Sequence, residues 1–138
     1  MGRYADRFKL GTAMWSERGI GMYDDPEVLA VMREWTDPEV VARSDVALDS
    51  GEYHGIDGML QMFRSFDEVW SGMSYEVGEV IERGDELVAE LRYRGRGASS
   101  GVPVTEAWWV HQRHRDGKLV LVEYLATREE AMKSAGLD

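Results

Sequence analysis

The chain has 138 residues, of which 43% are hydrophobic and 30% charged; this length fits one domain of roughly 100 to 200 residues, and the composition is too apolar for intrinsic disorder. Its 26 acidic against 16 basic side chains give a formal net charge of -10, which repels the phosphate groups that nucleic-acid and anionic-membrane binders grip with clustered Lys and Arg. No cysteine is present, so disulfides and thiolate metal sites are excluded.

The N-terminal Met1-Gly2-Arg3-Tyr4-Ala5-Asp6 has no long apolar run behind it, and nowhere do about 18 consecutive apolar residues occur. A cytoplasmic location is the expectation. Phe8, Leu10, Met14 and Trp15 recur at helical spacing, with Gly19 and Gly21 as a stop. A second helix starts at Asp24 or Asp25 as cap with Pro26 at the first helical position, and Val28, Leu29, Met32 and Trp35 form its apolar face. Thr36-Asp37-Pro38 breaks that helix and leads into a first strand over about Val40 to Leu48, closed by a turn at Asp49-Ser50-Gly51.

From Ile56 to about Trp70, Met59, Leu60, Phe63, Phe66, Val69 and Trp70 fall close to one helical face. This third helix needs a flat partner. Strand-like runs follow over about Ser74 to Arg83, Glu86 to Arg94, Thr105 to Arg115 and Leu119 to Leu125, with Arg83-Gly84-Asp85 and Arg115-Asp116-Gly117-Lys118 as hairpin turns. Thr127-Arg128-Glu129-Glu130 is a capping box that opens a short last helix ending near Gly136. Helices first and a meander afterwards predict an α+β layer.

The same order of elements carries wording that resembles a known family. Trp35-Thr36-Asp37-Pro38-Glu39-Val40-Val41 is similar to that family's lead into its first strand, and Gly51-Glu52-Tyr53-His54-Gly55 to its turn before the third helix. Val80 to Val88 and Arg94-Gly95-Arg96-Gly97 through Val102 match its central hairpin, and Asp116-Gly117-Lys118-Leu119-Val120 through Glu123 with Arg128-Glu129-Glu130-Ala131 is the most characteristic stretch. From about residue 35 onward the chain resembles the SnoaL-like branch of the nuclear transport factor 2-like superfamily; the first 34 residues match only in being helical. The resemblance implies one domain over residues 1–138, a cone-like α+β barrel. In it a strongly curved, mostly antiparallel sheet wraps a long helix, with the N-terminal helices alongside, and leaves an apolar cavity. It also implies a homodimer through the outer sheet face, into which Trp108 would pack.

The members of this superfamily include cyclases, isomerases, epoxide hydrolases, dehydratases and proteins with no known reaction, so fold alone does not fix function. Asp45 stands where the steroid isomerases hold their proton-shuttling Asp, but Thr12 and Trp109 stand where their oxyanion donors belong, a contribution usually worth a few kcal/mol. The His-Trp-Asp run of the cyclases corresponds to Val122-Glu123-Tyr124-Leu125, with the acid displaced to Glu123, and the Asp-Arg-Asp trio of the epoxide hydrolases has no clear counterpart.

Alternation along Thr105 to Arg115 puts Ala107, Trp109, His111 and Arg113 on one face and Glu106, Trp108, Val110, Gln112 and His114 on the other. The resemblance turns the first set toward the cavity. His111, whose ordinary pKa is about 6.5, is then the proton-transfer candidate, with Asp45 to orient it or act as base and Glu123 in the same cluster. The bland alternatives are a His111 held by a backbone or carboxylate contact, an Asp45 that caps a turn, and a Glu123 paired with Arg92 or Arg113. His54 and His114 fall near turns and are expected exposed. A slip of one residue turns His111 out and brings His114 in.

Trp15, Tyr53, Met59, Phe63, Trp109 and Tyr124 are the expected ligand-binding residues, and Met14, Met62 and Trp70 also suit a plastic pocket wall. Tyr53 could instead only close its turn. His spacing fits no metal site, Gly95-x-Gly97 opens no helix that would hold a phosphate, and Arg92, Arg94 and Arg96 read as a solvated strand edge. Neither metal nor cofactor is expected, and the partner is a small apolar molecule rather than nucleic acid or membrane. Three readings stay open: a cofactor-free isomerase, cyclase or dehydratase, a non-catalytic binder of the same shape, and a dimerising module with a filled cavity.

Overall fold

The structure, a computed structural model, describes residues 2–45, 51–97 and 103–138. Its helices are α1 (Arg3–Arg18), α2 (Pro26–Trp35), α3 (Gly55–Val69) and α4 (Arg128–Ala135), with a 3-10 turn over Gly19–Asp24 joining the first two. Its strands are β1 (Thr36–Ser44), β2 (Gly51–His54), β3 (Trp70–Arg83), β4 (Glu86–Gly97), β5 (Pro103–Arg115) and β6 (Lys118–Leu125). They form one curved sheet in the order β2-β1-β6-β5-β4-β3, antiparallel except where β1 lies parallel to β6.

Local chemistry accounts for the boundaries. Asp25 caps α2 by accepting from the Glu27 N–H at 2.9 Å, with Pro26 where its missing donor costs nothing. Thr127 caps α4 through the Glu130 N–H at 3.2 Å, and Gly136 closes that helix in the left-handed conformation. At the β5–β6 hairpin Asp116 and Gly117 both take positive φ, 54° and 81°, as a tight two-residue turn requires. Strand β1 starts at Thr36, earlier than the expected Val40: Pro38 has no N–H to give the ladder, so the β1–β6 register shifts between Thr36 and Val41 without ending the strand. Residues 46–50, which hold the expected strand end and most of its turn, lie outside the described residues. Gly51–His54, read as a turn, is a short edge strand paired with β1.

The core lies between α3 and one face of the sheet, where Met59, Met62 and Phe66 pack on Val40, Leu91, Trp108, Val110 and Val122. Burying a side chain of this size stabilises the fold by roughly 1.5–3 kcal/mol. Helix α1 is fastened to the far edge of the same face: Tyr4 and Ala5 pack on Leu87 and Ala89, and the Ala5 N–H donates to Glu82 Oε1 of β3 at 2.7 Å. Helix α4 covers the opposite face, setting Ala131 and Ala135 on Val88 and Leu125 beside Ile81 and Trp109. Trp108, expected outside in a dimer interface, points into the core against Phe66, Tyr93 and Tyr124. Among the described residues no helix is long and apolar enough to cross a membrane.

Candidate functional site

Between α1, α2, α3 and the sheet lies a cavity of about 480 Å³ with mostly apolar walls. Aromatic rings build it. Trp15 of α1 stands edge-on to Phe63 of α3 at 5.7 Å and to Tyr75 of β3 at 6.3 Å, and Tyr23 from the 3-10 turn stacks beside Phe63 at 6.0 Å. Tyr124 of β6 meets Phe66 at 5.1 Å and Trp108 at 6.2 Å. Burial pushes the Tyr23 and Tyr124 hydroxyls well above the usual phenol range, so both stay protonated.

Strand β5 puts two polar side chains on this wall, Gln112 and His114, two residues apart and therefore on one face. The His114 ring is sandwiched flat against Tyr4, with centroids 3.7 Å apart and planes 8° from parallel. The Asp85 carbonyl accepts from the His114 backbone N–H at 2.9 Å and faces Nδ1 at 3.4 Å. A carbonyl only accepts, so Nδ1 carries the ring proton and Nε2 presents a lone pair. Burial, reinforced by Arg7, lowers the His114 pKa to about 4 against the pull of the Asp85 carbonyl, so the ring is neutral at pH 7. Among the described residues neither Nε2 nor the Gln112 carboxamide has a hydrogen-bond partner. No buried side-chain nitrogen or oxygen among them is left unpaired, so these atoms are accessible, on side chains that line the cavity.

The alternation of β5 therefore runs opposite to the expected one. His111 and Trp109 lie on the face covered by α4, away from the cavity. The His111 ring is fully buried, with Nδ1 2.8 Å from Glu123 Oε1 and Nε2 2.8 Å from Glu86 Oε1. Ser134 of α4 donates to Glu123, Arg113 reaches both Glu86 oxygens at 3.0 and 3.1 Å, and Arg43 stands 3.4 Å from Glu123. The His111 hydrogen bond, helped by Ser134, outweighs burial and brings the Glu123 pKa down to about 2. Burial pushes Glu86 up, but its bonds to Arg113 and His111 outweigh that and keep it below the usual value. This is a satisfied ionic cluster that fastens α4 to the sheet.

The other expected residues divide. Trp15, Phe63 and Tyr124 line the cavity, as does Met14. Met59 and Met62 are sealed in the core beneath it, and Tyr53 packs on the edge of that core. Asp45 is exposed just past β1, its N–H bonded to the Tyr124 carbonyl at 3.0 Å, and does not line the cavity. The side chain of Trp70 lies outside the described residues. His114, expected exposed, is 6% exposed. Gln112, Tyr23 and Tyr75 were not singled out in the sequence, although Gln112 shares its strand face with Trp108 and Val110. Among the described residues no three His, Cys, Asp or Glu side chains converge as a metal would need.

Solved structures share this architecture. An NTF2-like protein of unknown function from Burkholderia pseudomallei K96243 superposes with a TM-score of 0.74 at 19% identity, over 98% of this chain and 98% of that one. TerC, co-crystallised with polyporic acid, gives 0.69 at 19% identity over 95% of each chain. A hypothetical protein with a ketosteroid isomerase-like fold from Catenulispora acidiphila DSM 44928, in complex with trimethylamine, gives 0.65 at 12% identity over 92% of this chain and 89% of that one. At these identities the likeness is one of fold. No curated protein matches the sequence. The profile of the SnoaL-like domain matches residues 24–122, and with the cone-shaped fold around its cavity the chain belongs to the SnoaL-like family.

Proposed function

We propose that the chain binds a neutral, planar, largely apolar molecule carrying a hydroxyl group, and that Gln112 and His114 read that hydroxyl together. The observation that carries the reading is this pair of β5 polar groups, without a hydrogen-bond partner among the described residues, on a mostly apolar wall whose charged members, Arg7, Arg18, Asp25 and Glu27, come from the N-terminal helices and the turn into α2. His114 Nε2 accepts the hydroxyl hydrogen, and the Gln112 carboxamide donates to the hydroxyl oxygen. A cavity of about 480 Å³ holds a molecule of two or three fused rings, within the common range for small-molecule sites. TerC with polyporic acid and the Catenulispora protein with trimethylamine show that folds of this shape hold small molecules, which supports the reading.

Recognition is favoured over proton abstraction. A general base works best with a pKa near the operating pH, and His114 at about 4 falls roughly three units short of that at pH 7. The carboxylates of the His111 cluster are held ionised and face away from the cavity. The test is calorimetric titration with 1-naphthol and with 1-methoxynaphthalene, which keeps the shape and loses the donor. Naphthol binds on the order of tenfold more tightly, as one buried neutral hydrogen bond predicts, and His114→Phe removes the difference. Equal affinity of the two compounds for the unaltered protein would contradict the role of the pair.

A further inference from the structure

Among the described residues, α1, α3 and α4 each bury side chains and α2 buries none. Its apolar stripe is nevertheless regular: Val28, Val31, Met32 and Trp35 fall at i, i+3, i+4 and i+7, and all four line the cavity. The stripe thus runs along the cavity, with only Met32 also packed against the core that Met59, Met62 and Phe66 of α3 help to build. Among the described residues the large hydrophobic side chains that stand exposed, Val31 at 41% and Leu10 at 51%, both lie on this cavity's wall, one on α2 and one on α1.

Both ends of α2 are held by arginines of α1. Arg18 pairs with the Asp25 cap at 3.2 Å, with the two side chains 42% and 33% exposed, and the Arg7 guanidinium lies 4.8 Å from the centre of the Trp35 ring. Solvent-exposed contacts of these kinds are weak. Arg7 is itself fixed by a 2.7 Å bond to the Gly117 carbonyl, and α1 is anchored through Tyr4 and Ala5, so the fixed side of each contact is α1. Between the two helices the chain passes through Gly19 at φ 67° and ψ -163°, a conformation essentially reserved for glycine.

We propose that α2 is the gate of the cavity, opening by release of its two arginine-held ends and closing over a bound molecule whose apolar body completes the burial of the Val28–Val31–Met32–Trp35 stripe. This rests on the reading of the cavity as a ligand site. Binding and the docking of α2 are then one equilibrium seen from two sides, since a ligand favours the state with which it makes more contact.

Hydrogen–deuterium exchange on the full chain tests it, with N-phenyl-1-naphthylamine as a neutral apolar fluorescent probe. In the free protein α2 amides exchange on the order of tenfold faster than those of α3, and saturating probe slows them by a similar factor. Arg18→Ala, which removes the ion pair and keeps the Asp25 cap, speeds probe association in stopped-flow fluorescence. Exchange in α2 as slow as in α3, or unchanged while fluorescence reports bound probe, overturns the gate and leaves the ligand site standing. If no fluorescence change occurs at saturating probe, both the site and its gate fall.

Discussion

His114 is held between two demands, a ring stacked flat on Tyr4 and a lone pair that finds no partner among the described residues. Its pKa, down from 6.5 to about 4, has a thermodynamic consequence. The unfolded chain takes up the proton first, so stability falls as pH drops from about 6.5 to about 4 and is insensitive to this group above and below that window. Glu123 adds to the loss further down, as pH falls from its usual 4.5 toward about 2. Melting temperatures measured from pH 7 to pH 4 should therefore decline, and His114→Gln should flatten the curve between pH 6.5 and pH 4. The residue scale is also where the sequence is least legible. Alternation separates the two faces of β5 but not inside from outside, because α4 buries Trp109 and His111 on the outer face as Trp108 and His114 are buried on the inner one. With both faces covered at this end of β5, a histidine lies on each, and the resemblance points to His111.

Elements were easier to read, for a physical reason. Caps and tight turns are local, so Asp25, Pro26, the Asp116-Gly117 turn and the Thr127 box stand in the sequence as they act in the structure. What escaped is non-local: the cap on α1 comes from Glu82, 77 residues away from Ala5, and β2 exists only because β1 offers it an edge. Thr127→Ala should destabilise α4 by about 1 kcal/mol, the usual value of a lost hydroxyl cap, and exchange in α4 should rise while that of α3 stays put. Glu82→Gln removes a charge from the N-terminus of α1, where the helix dipole favours it, and should lower thermal stability and loosen α1 at its anchored end.

At the scale of the whole molecule, the sheet divides two jobs between its faces. The outer face is covered in part by α4, held through the His111–Glu86–Glu123–Ser134 cluster, and the inner face keeps open space between α3 and the N-terminal helices. Variants should separate the two. His111→Ala leaves two shielded carboxylates without their shared partner and should cost about 3 kcal/mol in urea denaturation, with naphthol affinity unchanged under conditions where the variant stays folded. His114→Phe should do the reverse, retaining most of the stability and losing the preference for a hydroxyl.

The central claim, that Gln112 and His114 anchor a hydroxyl inside an aromatic cavity, is tested most directly by a crystal structure of the protein with 1-naphthol. The account predicts the ring among Trp15, Phe63 and Tyr124, with its hydroxyl within hydrogen-bond distance of both His114 Nε2 and the Gln112 carboxamide. Naphthol seated elsewhere, or in the cavity with its hydroxyl turned away from both, would contradict it.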